Sequence, residues 1–363
     1  MADALELAVE LNSTPRTAEE RASLLTEPGF GKVFTDHMAT AVWHAGRGWH
    51  DGKIEPYGPL TLDPATSFLH YGQAIFEGFK AYRHPDGSIH TFRPEQNARR
   101  FQRSAARLAL PELPEEWFLG LAEELIRTDR DWVPTGGESS LYLRPLMLGT
   151  EVALGVKPSG EALFVILASP AGSYFAGGVK PVTIWLSQEY TRAAPGGTGA
   201  AKCAGNYASS LVAQQEAIAN GCDQVAFVDA VEHRWVEELG GMNLFFVRDD
   251  GSIVTPELTG TILEGVTRDA ILTIAGELGY KVEERLVDVE EWKAGVADGS
   301  VSEVFACGTA AVVTPVGRLK WRGGEAVTGD GGTGPVTQKV RDTLLDVQYG
   351  RAEDVHGWLR KVC

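Results

Sequence analysis

Apolar and polar positions alternate over short stretches in the first half of the chain. Ala41 to Trp43, Ile89 to Phe92 and Leu141 to Leu143 read as strands, separated by turn clusters such as His84-Pro85-Asp86-Gly87-Ser88. Two segments have helical spacing instead. One runs from about Pro94 to Leu108, with Arg100, Arg103 and Arg107 three and four apart along one face, and the other spans about Glu115 to Asp131. The apolar run Leu163 to Ala168 is followed by a Gly/Pro-rich passage from Ser169 to Gly178. Beyond it, strands at Val182 to Leu186, Gln224 to Val228, Leu244 to Val247 and Val301 to Cys307 alternate with helices at Tyr207 to Asn220, Thr267 to Leu278 and Pro335 to Tyr349. Gly221, Gly279 and Gly350 follow the last turns of these helices, and Pro335 suits a first helical position.

This pattern predicts a mixed α/β chain in four parts. Residues 1–25 are expected to be a loosely ordered arm, 26–170 a small α/β domain, 171–181 a linker and 182–363 a larger mixed α/β domain. The length of 363 residues fits, at roughly 100–200 residues per domain. Hydrophobic residues at 44% and charged ones at 23% lie in the ordinary globular range and argue against a disordered chain.

A formal charge of −16 argues against general nucleic-acid binding, which draws on basic side chains. The run Ala162 to Ala168 is far too short to span a bilayer, and Asp3, Glu6 and Glu10 stand where a secretory signal would be basic. Four scattered cysteines without a CxxC suggest a reduced, cytoplasmic setting. Eight dispersed histidines, with no HExxH, give no support for a metal, and no GxSxG hydrolase elbow is present. Gly329 to Gly334 satisfies GxGxxG literally, but no buried strand is expected before it, so it reads as a solvent loop. Gly196 to Lys202 lacks the Gly before Lys and the Ser or Thr after it that a P-loop needs.

Of eleven lysines, only Lys202 is embedded in a run of small residues, Gly199-Ala200-Ala201-Lys202-Cys203-Ala204-Gly205. A lysine in a roomy, partly apolar pocket loses hydration and offers a free amine for Schiff-base chemistry. On local composition alone, a lysine on an exposed loop is the favoured reading.

The surroundings distinguish the two. The Lys202 segment, with Arg192 and Pro195 before it and Asn206-Tyr207 after it, resembles the active-site segment of class IV pyridoxal-phosphate enzymes, specifically the branched-chain amino acid aminotransferases. The blocks from Phe30 to Met38, His70 to Gly78, Glu237 to Asn243, Gly265 to Arg268 and Gly308 to Ala310 are similar to that family's, in its order. The resemblance implies a two-domain fold type IV enzyme that binds pyridoxal 5'-phosphate and acts as a homodimer. It implies that Lys202 is the Schiff-base lysine, that Arg100, Val266, Thr267 and Thr309 hold the phosphate, and that Tyr207 meets the ring hydroxyl. Glu238 would keep the pyridine nitrogen protonated, with its neighbour Glu237 solvated. Phe30, Tyr71, Phe76, Tyr142, Arg144 and Ala310 would form the substrate pocket. Tyr142 and Arg144, two apart on one strand face, would receive a carboxylate.

The implied reaction moves the amino group of leucine, isoleucine or valine to 2-oxoglutarate in ping-pong order. A D-amino acid aminotransferase or an aminodeoxychorismate lyase of the same class is the alternative, and a nicotinamide-dependent dehydrogenase a distant one. Two positions depart from the family pattern. Gly241 stands where some members have threonine, and Ala311 and Thr314 where some have a CxxC.

Overall fold

The structure is a computed structural model that describes residues 5–172 and 180–363. The linker expected over 171–181 therefore lies largely outside the described residues. Two compact units are present. The first comprises Met1–Tyr174, Ala201–Ala204 and Val347–Cys363, and the second Phe175–Ala200 and Gly205–Asp346.

In the first unit the described residues form a nine-stranded sheet. Its order is Leu7–Val9, Gly48–Pro56, His37–His44, Glu161–Ala171, Ser140–Gly149, Phe79–Arg83, Ile89–Phe92 and Leu359–Lys361, and Ala74–Phe76 pairs with Ser140–Gly149. All neighbours are antiparallel except Leu7–Val9 on Gly48–Pro56. Phe101 of the helix Pro94–Arg107, Phe118 of the helix Glu115–Thr128, and Phe79 and Phe164 of the sheet build an aromatic core with ring centroids 5.5–6.0 Å apart.

The helix Pro94–Arg107 buries two stripes side by side. Ala98, Phe101 and Ala105 enter the core, while Asn97, Arg100 and Ser104 form a buried polar edge at the same three- and four-residue spacing. Arg103 and Arg107, expected on the face of Arg100, are exposed instead.

Two boundary expectations are corrected. Within the span 1–25 expected to be a loose arm, Leu7–Val9 joins the sheet edge and Ala18–Thr26 is a helix, while residues 1–4 lie outside the described residues. Thr17 and Glu20 close a capping box at its start, a pattern readable as Thr-x-x-Glu. Asn12 N–H also donates to His37 Nε2 at 2.8 Å. The closing segment Val347–Cys363, assigned above to the C-terminal domain, belongs to the first unit. Leu359–Lys361 supplies a strand beside Ile89–Phe92, and the Tyr349 ring meets Tyr82 edge-on at 5.0 Å.

The second unit also carries nine strands among its described residues. The order is Val236–Leu239, Gln224–Val228, Val182–Ser187, Val312–Trp321, Val301–Gly308, Asn243–Arg248, Ile253–Pro256 and Val282–Arg285, and Gly324–Val327 pairs with Val312–Trp321. Parallel and antiparallel pairs mix, as the alternation of helices and strands predicts. Gly221 and Gly279, just past their helices, adopt the left-handed conformation that only glycine takes without strain.

The literal dinucleotide motif is a turn. Gly329 to Gly334 lies between the half-exposed edge strand Gly324–Val327, which was not expected, and the helix Pro335–Gln348. The start of that helix already has its anion. The buried Glu303 carboxylate accepts from Val336 N–H (3.0 Å), Thr337 N–H (2.7 Å) and the Thr337 hydroxyl (2.7 Å), and fills the space a side chain at Gly334 would need. A pyrophosphate would have to displace it.

Candidate active site

In the first unit Lys202 is held by its backbone. Its N–H donates to Ser104 Oγ at 2.9 Å, its carbonyl accepts from Phe76 N–H at 3.0 Å, and Cys203 bridges to Ile75. A short sheet-like contact therefore fixes the residue while its side chain stays out of these bonds. The ammonium lies 4.9 Å from the centre of the Phe76 ring.

The same ring takes the Arg144 guanidinium at 4.9 Å. Arg144 Nη2 donates to Tyr142 Oη at 3.1 Å, and Phe30 meets the Tyr142 ring edge-on at 4.9 Å. Phe30, Phe76, Tyr142, Arg144 and Lys202 thus form one contiguous group, and Tyr142 and Arg144 share a strand face as their spacing predicts. Arg144 Nε is buried with no hydrogen-bond partner. Gly78 lets the Tyr142 hydroxyl in, because a Cβ there would collide with it. Tyr71 stands apart, 44% exposed, with its hydroxyl donating to the Leu154 carbonyl.

Arg100 makes a two-pronged pair with Glu77, Nε to Oε1 at 2.7 Å and Nη2 to Oε2 at 2.9 Å. Both are buried, Arg100 at 4% exposure and Glu77 at 0%. Asn97 Nδ2 and Gly78 N–H also donate to Glu77 Oε2, at 2.8 and 3.1 Å. Burial pushes the Glu77 carboxyl up, but the Arg100 charge and hydrogen bonds, with the Lys202 charge and Asn97, bring it below the ordinary carboxylate value. Glu77, Asn97 and Ser104 carried no assigned role in the sequence. For Asn97 and Ser104 the available signal was position, three residues before and four after Arg100 on one helix face.

The second unit holds the remaining candidates. Glu238 Oε1 pairs with Arg192 Nη2 at 2.6 Å and accepts from Leu263 N–H at 3.0 Å, while Asn243 Nδ2 donates to Oε2 at 3.4 Å. Arg192 Nη2 also donates to the carbonyls of Gly199 (3.1 Å) and Thr261. Glu237, expected to be solvated, is instead 4% exposed and takes a hydrogen bond from the Thr261 hydroxyl. Its side chain faces away from Glu238, as strand alternation requires, but the other face is covered too.

Val266 and Thr267 open the helix Val266–Glu277, whose N-cap is Gly265, so no side chain caps it. Thr309 and Ala310 occupy the turn between Val301–Gly308 and Val312–Trp321. Val312, just after that turn, has φ of +60°, a strained setting for a β-branched residue that costs about 1–3 kcal/mol. Tyr207 lies in the first turn of the helix Ala204–Ala219. Its ring is 3.5 Å from where a Cβ at Gly241 would stand, so a threonine there would touch it.

Gly199 is required by contact rather than by backbone angle. A Cβ would lie 2.6 Å from Thr261 Cα and 2.7 Å from the Ala193 methyl. Gly199→Ala is expected to lower stability by about 1–3 kcal/mol through overpacking. An unchanged urea midpoint would contradict this.

Among the described residues no group of three or more His, Cys, Asp or Glu could hold a metal ion, and no helix is long and apolar enough to cross a membrane.

Known proteins are similar to this chain over most of its length. Residues 74–319 match the family described as Amino-transferase class IV. A Streptomyces coelicolor protein named "Probable branched-chain-amino-acid aminotransferase" is 59% identical over 346 residues, covering 95% of each chain. The branched-chain-amino-acid aminotransferase of Mycolicibacterium smegmatis is 55% identical over 362 residues, 99% of this chain and 98% of that one. The crystal structure of a T.th. branched-chain amino acid aminotransferase with pyridoxamine 5'-phosphate matches with a TM-score of 0.75 at 32% identity, covering 90% of this chain and 99% of that one.

Proposed function

Because the chain belongs to the class IV amino-transferases, and within them to the branched-chain-amino-acid aminotransferases, we propose that it reversibly transfers the amino group of L-leucine, L-isoleucine or L-valine to 2-oxoglutarate, with pyridoxal 5'-phosphate as cofactor. The observation that carries this is the backbone-anchored Lys202 beside the Phe76, Tyr142 and Arg144 group.

The donor sets fit the cofactor. Lys202 offers an amine to its aldehyde, Arg100, already paired with Glu77, a guanidinium to its phosphate, and Thr267 and Thr309 hydroxyls. Val266 lies where the helix dipole favours an anion. Glu238 suits a ring nitrogen that must stay protonated, and Tyr207 suits a ring hydroxyl. When bound, the group supplies an electron sink for charge developing at the substrate α-carbon.

The chain's own residues do the rest. Lys202 Nζ would take the proton from the substrate α-carbon as general base and deliver it, as general acid, to the carbon of the cofactor's aldehyde group. Arg144 and Tyr142 receive the side-chain carboxylate of glutamate, with the partnerless Arg144 Nε as a further donor. Phe30 and Phe76 offer apolar surface to a branched side chain, and the Ala310 N–H serves the α-carboxylate, whereas Tyr71, expected as a further wall, lies outside this group. The working form is a cytoplasmic homodimer.

The test is a screen of L- and D-amino acids with 2-oxoglutarate on protein loaded with pyridoxal phosphate. Conversion of L-leucine, L-isoleucine and L-valine is expected. Preference for D-alanine, or release of pyruvate from aminodeoxychorismate, would favour the other members of the class.

A further inference from the structure

Glu237 has no part in the function above, yet the fold buries it beside Glu238. Thr261 Oγ1 donates to its Oε1, and its Oε2 is buried without a hydrogen-bond partner. Thr261 also turns its carbonyl to Arg192 Nη2, the same nitrogen that pairs with Glu238. One residue therefore links the two carboxyls, its hydroxyl on Glu237 and its carbonyl on the guanidinium that serves Glu238. Arg192 Nε, like Glu237 Oε2, is buried and without a partner.

The charges facing Glu237 are Arg192, Glu238 and Asp229. Asp229 accepts from the N–H groups of Val231, Glu232, Arg234 and Trp235, and these bonds override its burial to hold its carboxyl at about 2, so it is ionised. Two negative charges and one guanidinium thus already face Glu237. A third negative charge, on a buried carboxylate with a single hydroxyl donor, would be uncompensated.

We propose that Glu237 is a positioning residue for Glu238, acting through Thr261 and Arg192, and that an uncharged carboxyl at this position leaves the one guanidinium to Glu238. Burial pushes the Glu237 carboxyl up, the neighbouring Glu238 and Asp229 charges add to this, and the Thr261 bond and Arg192 charge offset only part of it, in keeping with that state. An ionised Glu237 would compete for Arg192 and add negative charge to a unit that has to accept an anionic cofactor.

The inference rests on the cofactor reading, and its test separates the two. Thermal unfolding of apoprotein and binding of pyridoxamine 5'-phosphate are followed between about pH 5 and pH 9 for wild type, Glu237→Gln and Glu237→Leu. Folding favours the neutral form, so wild type and Glu237→Gln should coincide at the acid end. As pH rises from the ordinary carboxylate value through the raised one, wild type should lose melting temperature relative to the glutamine variant. Wild-type binding should weaken about tenfold relative to Glu237→Gln over the same range. Glu237→Leu, which cannot accept from Thr261, should bind more weakly than Glu237→Gln at every pH. Parallel pH curves for wild type and both variants would overturn the proposal. Absence of binding by wild type at every pH would overturn the cofactor reading and the positioning role with it, while the melting curves still report whether Glu237 is neutral.

Discussion

Lys202→Ala is expected to lower turnover of leucine with 2-oxoglutarate by about 10⁴-fold, the upper range for loss of a general acid–base group. A methyl group can neither take the α-proton nor deliver it. The substitution should not disturb the fold, because Lys202 is anchored by its N–H, by its carbonyl and by the Cys203 bridge, none of which uses the side chain. The melting temperature of the apoprotein should therefore stay near that of wild type while the rate collapses. Turnover within about tenfold of wild type would remove Lys202 from the chemistry.

The second large effect is on stability. Glu77→Gln leaves the Arg100 guanidinium buried without its counter-charge, and breaking a buried pair from one side costs about 3–5 kcal/mol. The double variant Glu77→Met with Arg100→Met removes both charges and should recover most of that loss. It should still bind pyridoxal phosphate poorly for want of the Arg100 charge. Because the Glu77 carboxyl is held below its ordinary value, its contribution is complete above that value and fades as pH falls through the lowered one. Urea unfolding at neutral pH decides the matter. A loss of under about 1 kcal/mol for Glu77→Gln would mean that the pair is not the anchor its geometry describes.

Much of the fold was legible where one periodicity ruled. The strand Ile89–Phe92 and the helices Pro94–Arg107 and Val266–Glu277 lie within a residue or two of their expected places, because alternation, Pro at a first turn and Gly after a last turn act locally. The short strands Leu7–Val9 and Leu359–Lys361 exist only through their partners, Gly48–Pro56 and Ile89–Phe92, so no local signal marks them. The same distinction holds at the site. Tyr142 and Arg144 follow from a period of two along one strand. The pairing of Arg100 with Glu77 joins residues 23 apart in sequence. The burial of Glu237 depends on Thr261, 24 residues on, and a strand's alternation says which way a side chain points but not what covers it.

The proposed function stands or falls with a bond between the Lys202 amine and the cofactor. Borohydride reduction of the protein loaded with pyridoxal phosphate, followed by proteolysis and mass spectrometry, tests it most directly. A phosphopyridoxyl group is expected on the peptide containing Lys202 in wild type, and none in Lys202→Ala. A label on any of the other ten lysines with Lys202 unmodified, or no label at all, would contradict it.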